Sequence, residues 1–497
     1  MTDRALQLLR SNRELAELAA FPFDFDLGRA DHVEHVVLAS GAALTPIAGN
    51  DTGGTYFVCG DPDADGPVLY ASSDGMAGLI GDSVDEALDM LTGLPGWRDY
   101  VSLTPGDGEE RLLAAVAETE EDIRDTFAPE IDAQRAELRS ALDLPERSAA
   151  ELVQRLHRCL LRTEPDFLLL NGEELLAYQR LCRHPGPPLW ETVLEPGRAD
   201  LELLRTADGD RPASIGDDPV RRASVLRAAQ FDHRVSDLPL LRRLLVQEAD
   251  DAGPSEELRL ALALVGAHGL AEDIPLLHGL RDRNEALRWG LHPWPGDAVE
   301  LAQWAHELDG ARFGRDLEAQ SPLVWIGLAR RQGRTETARA ALIRLLDDTG
   351  PDADRLAALR GELELLGDFP QAARAQELWV SLQDTAWARG TGRLGLALLR
   401  RRSGDLPGAW QAVQRAAADL DGSDGDWRRR GVGHILVEEQ LRITLAAAEE
   451  GLTDLARTSL AEAKVLMRRA KWQSDTGVGE LVREAKWAVA RLRAASD

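Results

Sequence analysis

The feature that most constrains this chain is a turn that recurs through its second half. Gly333, Gly367, Gly404 and Gly451 are each followed five residues later by alanine, at Ala338, Ala372, Ala409 and Ala456, and successive glycines are 34, 37 and 47 residues apart. Glycine at such a place ends one helix in a left-handed turn. A small alanine in the next helix lets its partner approach closely. The spacing therefore predicts helical pairs stacked one on the next, a helical solenoid. In two units a second alanine follows seven positions on, at Ala416 and Ala463, whereas Leu345 and Trp379 take that place in the other two. Upstream, Asp237-Leu-Pro-Leu-Leu241 recurs 36 residues later as Asp273-Ile-Pro-Leu-Leu277, each opening an apolar helix.

The Gly-x4-Ala units resemble tetratricopeptide repeats, whose small-residue positions have this spacing. The paired Asp-x-Pro-Leu-Leu segments resemble HEAT-like helical pairs. Ten of the twelve tryptophans lie from Trp289 onward, and at helical spacing they are expected in the core.

A length of 497 residues exceeds one ordinary core, so several domains are expected. Pro and Gly cluster at 185–197 and 207–219, the best linker candidates. The expected order is an α+β domain at 1–105, a helical connecting region at 106–220, HEAT-like repeats at 221–300 and tetratricopeptide-like repeats at 301–497. The fold class is thus multidomain, α+β plus all-α.

Charge narrows the partners. Acidic residues number 85 against 57 basic ones, a net charge of −28. Residues 1–100 hold 17 Asp/Glu against 5 Arg and no Lys. A duplex-DNA binder needs a basic face, so no nucleic-acid partner is expected; a basic protein partner suits the charge. Cys59, Cys159 and Cys182 are far apart and form no CxxC, so neither a disulfide framework nor a zinc knuckle is indicated, and a reducing cytoplasm fits. The N-terminal stretch is charged throughout and no apolar run approaches ~18 residues, so neither a signal peptide nor a membrane span is expected.

Residues 1–105 are the mixed part. Thr55–Cys59 and Val68–Ala71 read as short strands, and Val33–Ala39 fits helix or strand. Ser83 and Glu86 have capping-box spacing for a helix through Ala87, Leu88, Leu91 and Leu94 that Pro95-Gly96 ends. From about Asp107 the strands are expected to stop.

Motifs with chemical meaning are few. Asp61-Pro-Asp-Ala-Asp-Gly66 matches the first half of a calcium loop, but its twelfth position is Ser72 rather than Glu, so it reads as an acidic hairpin turn. Gly390-Thr-Gly-Arg-Leu-Gly395 matches GxGxxG without a preceding strand, so a helix boundary is expected instead of a dinucleotide site. Asp31-His-Val-Glu-His35 is the one close His/carboxylate cluster, and its spacing is not that of a helical zinc site. No nucleophile elbow, P-loop or kinase set occurs. No catalytic residue, cofactor or metal is expected.

The segment from Leu44 to Tyr100 carries a further likeness. Asp51, Gly53, Gly54 and Tyr56 form a polar Gly-Gly loop entering a strand; Pro67 and Val68 start the next; Asp74 and Gly75 follow; then come Ser83, Glu86, Leu88 and Leu91. This order resembles the SUKH superfamily, also called SMI1/KNR4-like. The resemblance implies a compact α+β fold and a non-catalytic, protein-binding role, in bacteria often as an immunity protein against a toxin. Asp51, Tyr56, Asp74 and Trp97 are the binding candidates. A regulatory helical-repeat adaptor, with the N-terminal domain as a cap, is the alternative; an enzyme with dispersed residues is a third.

Overall fold

The computed structural model describes residues 4–61, 66–182, 186–206, 211–232, 234–251, 255–283, 287–288, 293–424, 426–470 and 478–496. The chain divides into two compact units, one made of Met1–Arg183 with Arg339–Asp497 and the other of His184–Ala338. The boundary expected at 105 falls inside the first unit, and those at 220 and 300 fall inside the second.

The first unit opens with helices α1 (Arg4–Ser11) and α2 (Arg13–Ala20), the latter capped by Asn12, whose Oδ1 accepts from the Glu14 amide at 3.0 Å. Strands β1 (Val36–Leu38), β2 (Leu44–Gly49), β3 (Thr55–Cys59), β4 (Val68–Ala71) and β5 (Met76–Gly81) follow. Then come α3 (Val84–Gly93), α4 (Glu109–Thr126), α5 (Ile131–Leu142), α6 (Ala149–Leu161), β6 (Leu169–Asn171) and β7 (Gln179–Arg180). The main sheet runs β2-β3-β4-β5-β7, antiparallel except for the parallel β5–β7 edge, and β1 pairs with β6 separately. Every residue of β3 and β4 is buried. Tyr56, Val58, Val68 and Tyr70 join one apolar cluster, and Phe57, Cys59, Leu69 and Ala71 join another on the opposite face. A sheet covered on both sides has unbroken apolar strands, which is why these two were legible.

Strands do not stop at Asp107: β6 and β7 lie beyond it. They are only 3 and 2 residues long, so they leave no alternating pattern. In β5, Gly78 lets α6 approach; a Cβ there would lie 2.6 Å from Leu160 Cδ2. Helix α3 begins as expected, with the Glu86 amide donating to Ser83 Oγ at 3.1 Å. Glu86 Oε2 accepts from the Asp82 amide rather than from Ser83. Within the acidic turn Asp61–Gly66, residues 62–65 lie outside the described residues.

The second unit holds α7 (Leu189–Thr206), α8 (Arg211–Asp217), α9 (Pro219–Phe231), α10 (Leu238–Asp251), α11 (Glu256–Gly266), α12 (Ile274–Arg283), α13 (Ala298–Leu308) and α14 (Pro322–Arg331). The expected linkers are largely helix. Pro196 and Gly197 sit inside α7, where a Cβ on Gly197 would meet the Ser224 carbonyl of α9 at 2.2 Å. The glycine is a packing device, not a hinge. The repeated aspartates also gain a role. Arg205 of α7 grips Asp237 at 2.6 Å, and Arg242 of α10 grips Asp273 at 2.5 Å. Each buried carboxylate thus ties a helix start to an arginine about thirty residues earlier.

Helix α15 (Thr335–Asp347) leads back into the first unit, followed by α16 (Ala353–Leu366), α17 (Phe369–Ser381), α18 (Ala386–Arg402), α19 (Leu406–Asp421), α20 (Gly431–Glu449), α21 (Thr453–Arg469) and α22 (Gly479–Ser496). The four turn glycines have φ of 74°, 80°, 86° and 75°, the left-handed region as expected, and Ala338, Ala372, Ala409 and Ala456 are all fully buried. The GxGxxG stretch is not a helix boundary. It lies inside α18, where Cβ atoms on Gly390 and Gly392 would come within 2.6 Å of Leu420 and 2.7 Å of Trp379. Trp379 departs from the small-residue pattern, and Gly392 opposite it supplies the missing space.

The segment before β7 is held against these helices. Gln371 Nε2 donates to the Leu175 carbonyl at 2.8 Å, the Ala177 amide donates to Asp347 at 3.1 Å, and Arg344 donates to the Tyr178 carbonyl at 2.7 Å. Among the described residues no helix is long and apolar enough to cross a membrane.

Candidate functional site

The loop between β2 and β3 is built around one buried side chain. Asn50 Oδ1 accepts from the amides of Thr52 (3.2 Å) and Gly54 (2.8 Å) and from Thr52 Oγ1 (3.0 Å), while Nδ2 donates to Tyr70 Oη at 3.1 Å. An Asx-type turn of this kind fixes the backbone of the residues that follow it in sequence. Gly53 has φ of +82°, and a Cβ on Gly54 would fall 2.1 Å from Tyr70 Oη. The two glycines thus serve backbone conformation and close approach. Ser73 Oγ donates to the Thr52 carbonyl at 3.0 Å, which ties this loop to the β4–β5 turn. Arg98 donates to Thr52 Oγ1 at 2.6 Å and lies 3.6 Å from Asp24.

The four candidates therefore separate. Asp51 and Asp74 are exposed on these adjoining turns at one end of the sheet. Burial, then the charge of Asp51, raises the Asp24 carboxyl above its usual range, while Arg98 and Arg29 pull it the other way. Tyr56 and Trp97 go elsewhere. They are 0% and 2% exposed, so no partner can touch them. Tyr56 packs on Tyr70 (ring centroids 5.1 Å apart), and Trp97 meets Tyr70 edge-on at 5.1 Å. Their place as surface contacts is corrected to that of core. Both are large apolar groups just beside loops, a pattern that fits either role on paper.

A second polar assembly has no local signature. His32 Nδ1 lies 3.1 Å from Thr55 Oγ1, and its Nε2 lies 3.1 Å from Tyr178 Oη. Tyr178 donates onward to Glu34, which also accepts from Asn171. Because the phenol hydrogen goes to Glu34, His32 Nε2 donates to Tyr178, and Nδ1 faces the Thr55 hydroxyl, which also lies 3.4 Å from the Asp31 carbonyl. Burial, then Glu34, raises the Tyr178 hydroxyl above its usual range. A hydroxyl–imidazole–phenol–carboxylate chain could move protons, but Thr55 is 0% exposed and offers no reagent its Oγ. The chain instead clasps β3, the 31–35 segment and the stretch before β7. Asp31–His35 was visible as a cluster; its partner Tyr178, 146 residues from His32, was not.

Other reactive groups are muted. Burial pushes the Cys59 thiol up to about 12 and the Cys159 thiol up to about 11, the latter also through Asp82. Neither supplies a thiolate nucleophile near neutral pH. Among the described residues no group of three or more His, Cys, Asp or Glu is placed to hold a metal ion.

The His32 clasp predicts a pH response. Burial lowers the imidazole below its ordinary 6.5, outweighing the pull of Glu34 and Asp31. The unfolded chain then takes the proton first, so stability falls as pH drops below 6.5 and levels off beneath the folded value. His32→Gln is expected to flatten that part of the profile, read as denaturation midpoint against pH. An unchanged slope would show that His32 is not buried in its neutral form.

Comparison with protein-family models, with curated proteins and with solved structures finds no match to this chain.

Proposed function

We propose that this protein is a non-catalytic binder of another protein, of immunity or scaffold type, and that the SUKH-like part engages a basic partner through its acidic turns. The observation that carries this reading is that Asp51 and Asp74 are both exposed on two turns tied together by the Ser73–Thr52 hydrogen bond and held by Asn50 and Arg98. Rigid, like-charged loops at one sheet end suit steering and docking of a positive face. The resemblance to the SUKH superfamily points to the same use, with a toxin among the candidate partners.

The test is capture from the native host with the full chain and with Asp51→Arg/Asp74→Arg. The reversal changes the local charge by four units, so a loss of roughly tenfold or more in association is expected at low salt, with the melting midpoint unchanged. Recovery of nothing above background by the unaltered chain, at several salt concentrations, would count against a binding role.

A second reading makes the protein a helical-repeat adaptor, with a HEAT-like and tetratricopeptide-like solenoid as the binding surface and the N-terminal part as a cap. It is favoured by the four equivalent Gly turns and buried alanines. Removing residues 1–105 would strip β6 and β7 of their partners and bare an apolar core. Charge reversal is the cleaner discriminator. Capture that survives Asp51→Arg/Asp74→Arg favours the adaptor.

A further inference from the structure

Helix α18 carries Arg389 and Arg393 one turn apart on one face, and both reach toward Asp419 of α19. Arg389 Nε lies 3.6 Å from Asp419 Oδ1, and Arg393 Nη1 is paired with Oδ2. Arg415 stands one turn before Asp419 on the same helix, exposed, and forms no ion pair among the described residues. Burial, then the like charges of Arg415 and Arg389, weakens the hold of Arg393 on its proton. Glu377 of α17 also faces Arg393, but Arg400 already grips it at 2.8 Å. Two guanidinium groups thus share the Asp419 carboxylate, and the charge of a third, Arg415, acts on one of them.

The local balance runs against the charge of the whole chain. The chain's net charge is −28, and Arg205, for example, is bonded to three carboxylates, Glu202, Asp232 and Asp237. At α18–α19 the excess runs the other way. Arg389 is anchored by the carbonyls of Gln383 (3.1 Å) and Asp384 (2.9 Å), so part of the patch is pre-set. Pre-set guanidinium forks bind carboxylates bidentately at reduced entropic cost.

We propose that the Arg389–Arg393–Arg415 patch binds an extended, carboxylate-rich segment of a partner protein. Side chains one helical turn apart sit ~5–6 Å from each other. Alternate side chains of an extended peptide are ~6.5–7 Å apart on one face. Two glutamates at alternate positions would therefore meet Arg389 and Arg393, and the exposed Arg415 on α19 is left for a third. This surface is distinct from the acidic turns and takes the opposite charge.

A fluorescein-labelled Glu-Thr-Glu-Thr-Glu peptide, titrated into the full chain at about 50 mM salt, tests this, because the overall negative charge would otherwise repel it. Saturable binding is expected, weakened about tenfold or more by Arg415→Glu and by Arg393→Glu, and unchanged by Asp74→Ala. Arg415 is exposed and unpaired, so its variant tests the patch even if Arg393→Glu disturbs the Asp419 pairing. No saturable binding, equal binding by the Arg415→Glu chain, or displacement by inorganic phosphate at concentrations where the unlabelled peptide does not compete would each overturn the proposal.

Discussion

Trp97→Ala is expected to lower the free energy of unfolding by about 3–5 kcal/mol, the usual loss when a large aromatic leaves a packed interior. Trp97 is among the largest fully buried side chains and stands edge-on to Tyr70, with their planes at 89°. Tyr70 in turn holds Asn50 through its hydroxyl. The cavity would therefore loosen the loop that presents Asp51 as well as the core below it. Urea denaturation followed by circular dichroism measures the loss, and hydrogen exchange at Thr52–Gly54 should rise with it. An unchanged midpoint accompanied by loss of partner capture would show that Trp97 is a surface contact after all, and that the burial argument is mistaken.

What could be read from the sequence was what local rules govern. Gly333, Gly367, Gly404 and Gly451 announce their left-handed turns because a side chain is strained there, and the alanines that follow are buried as their size suggests. Strands β3 and β4 stand out because both faces are covered. Strand β5 does not, since its two internal approaches needed Gly78 and Gly81 in place of branched residues; a Cβ on Gly81 would lie 2.7 Å from the Ala87 amide of α3. Long-range pairings left no trace at all. The parallel contact of β5 with β7 and the His32–Tyr178 bond each join residues more than a hundred positions apart. Trp379 looked like a break in the repeat only because Gly392, which accommodates it, lies in a different helix. Turn chemistry marked the loop that carries Asp51 and the turn that carries Asp74, both exposed, but aromatic type alone could not tell that Tyr56 and Trp97 are core.

The second large effect lies in the unit formed by His184–Ala338. Glu257, in the first turn of α11, is buried and bonded to Arg331 at 2.7 Å and Arg227 at 3.4 Å. Burial weakens the hold of Arg227 on its proton, and Glu257 counters that. Glu257→Ala would leave two arginines facing each other with no carboxylate between them. Breaking one side of a buried pair costs about 3–5 kcal/mol, which is expected as a lower denaturation midpoint and faster hydrogen exchange in α9 and α11. Glu257→Gln keeps the shape and one acceptor, so its loss should be smaller. The acid limb separates charge from packing. Burial raises the Glu257 carboxyl, but the Arg331 hydrogen bond and the charges of Arg331 and Arg227 outweigh it and hold it below the ordinary 4.5. Its contribution is therefore present above pH 4.5 and disappears as pH falls through the folded value, where the carboxylate takes up its proton. Glu257→Gln should lack that acid-induced loss in its stability profile. If both variants match the unaltered chain to within about 0.5 kcal/mol, the size of an ordinary surface substitution, the Arg227–Glu257–Arg331 cluster contributes nothing to holding α9 and α11 together.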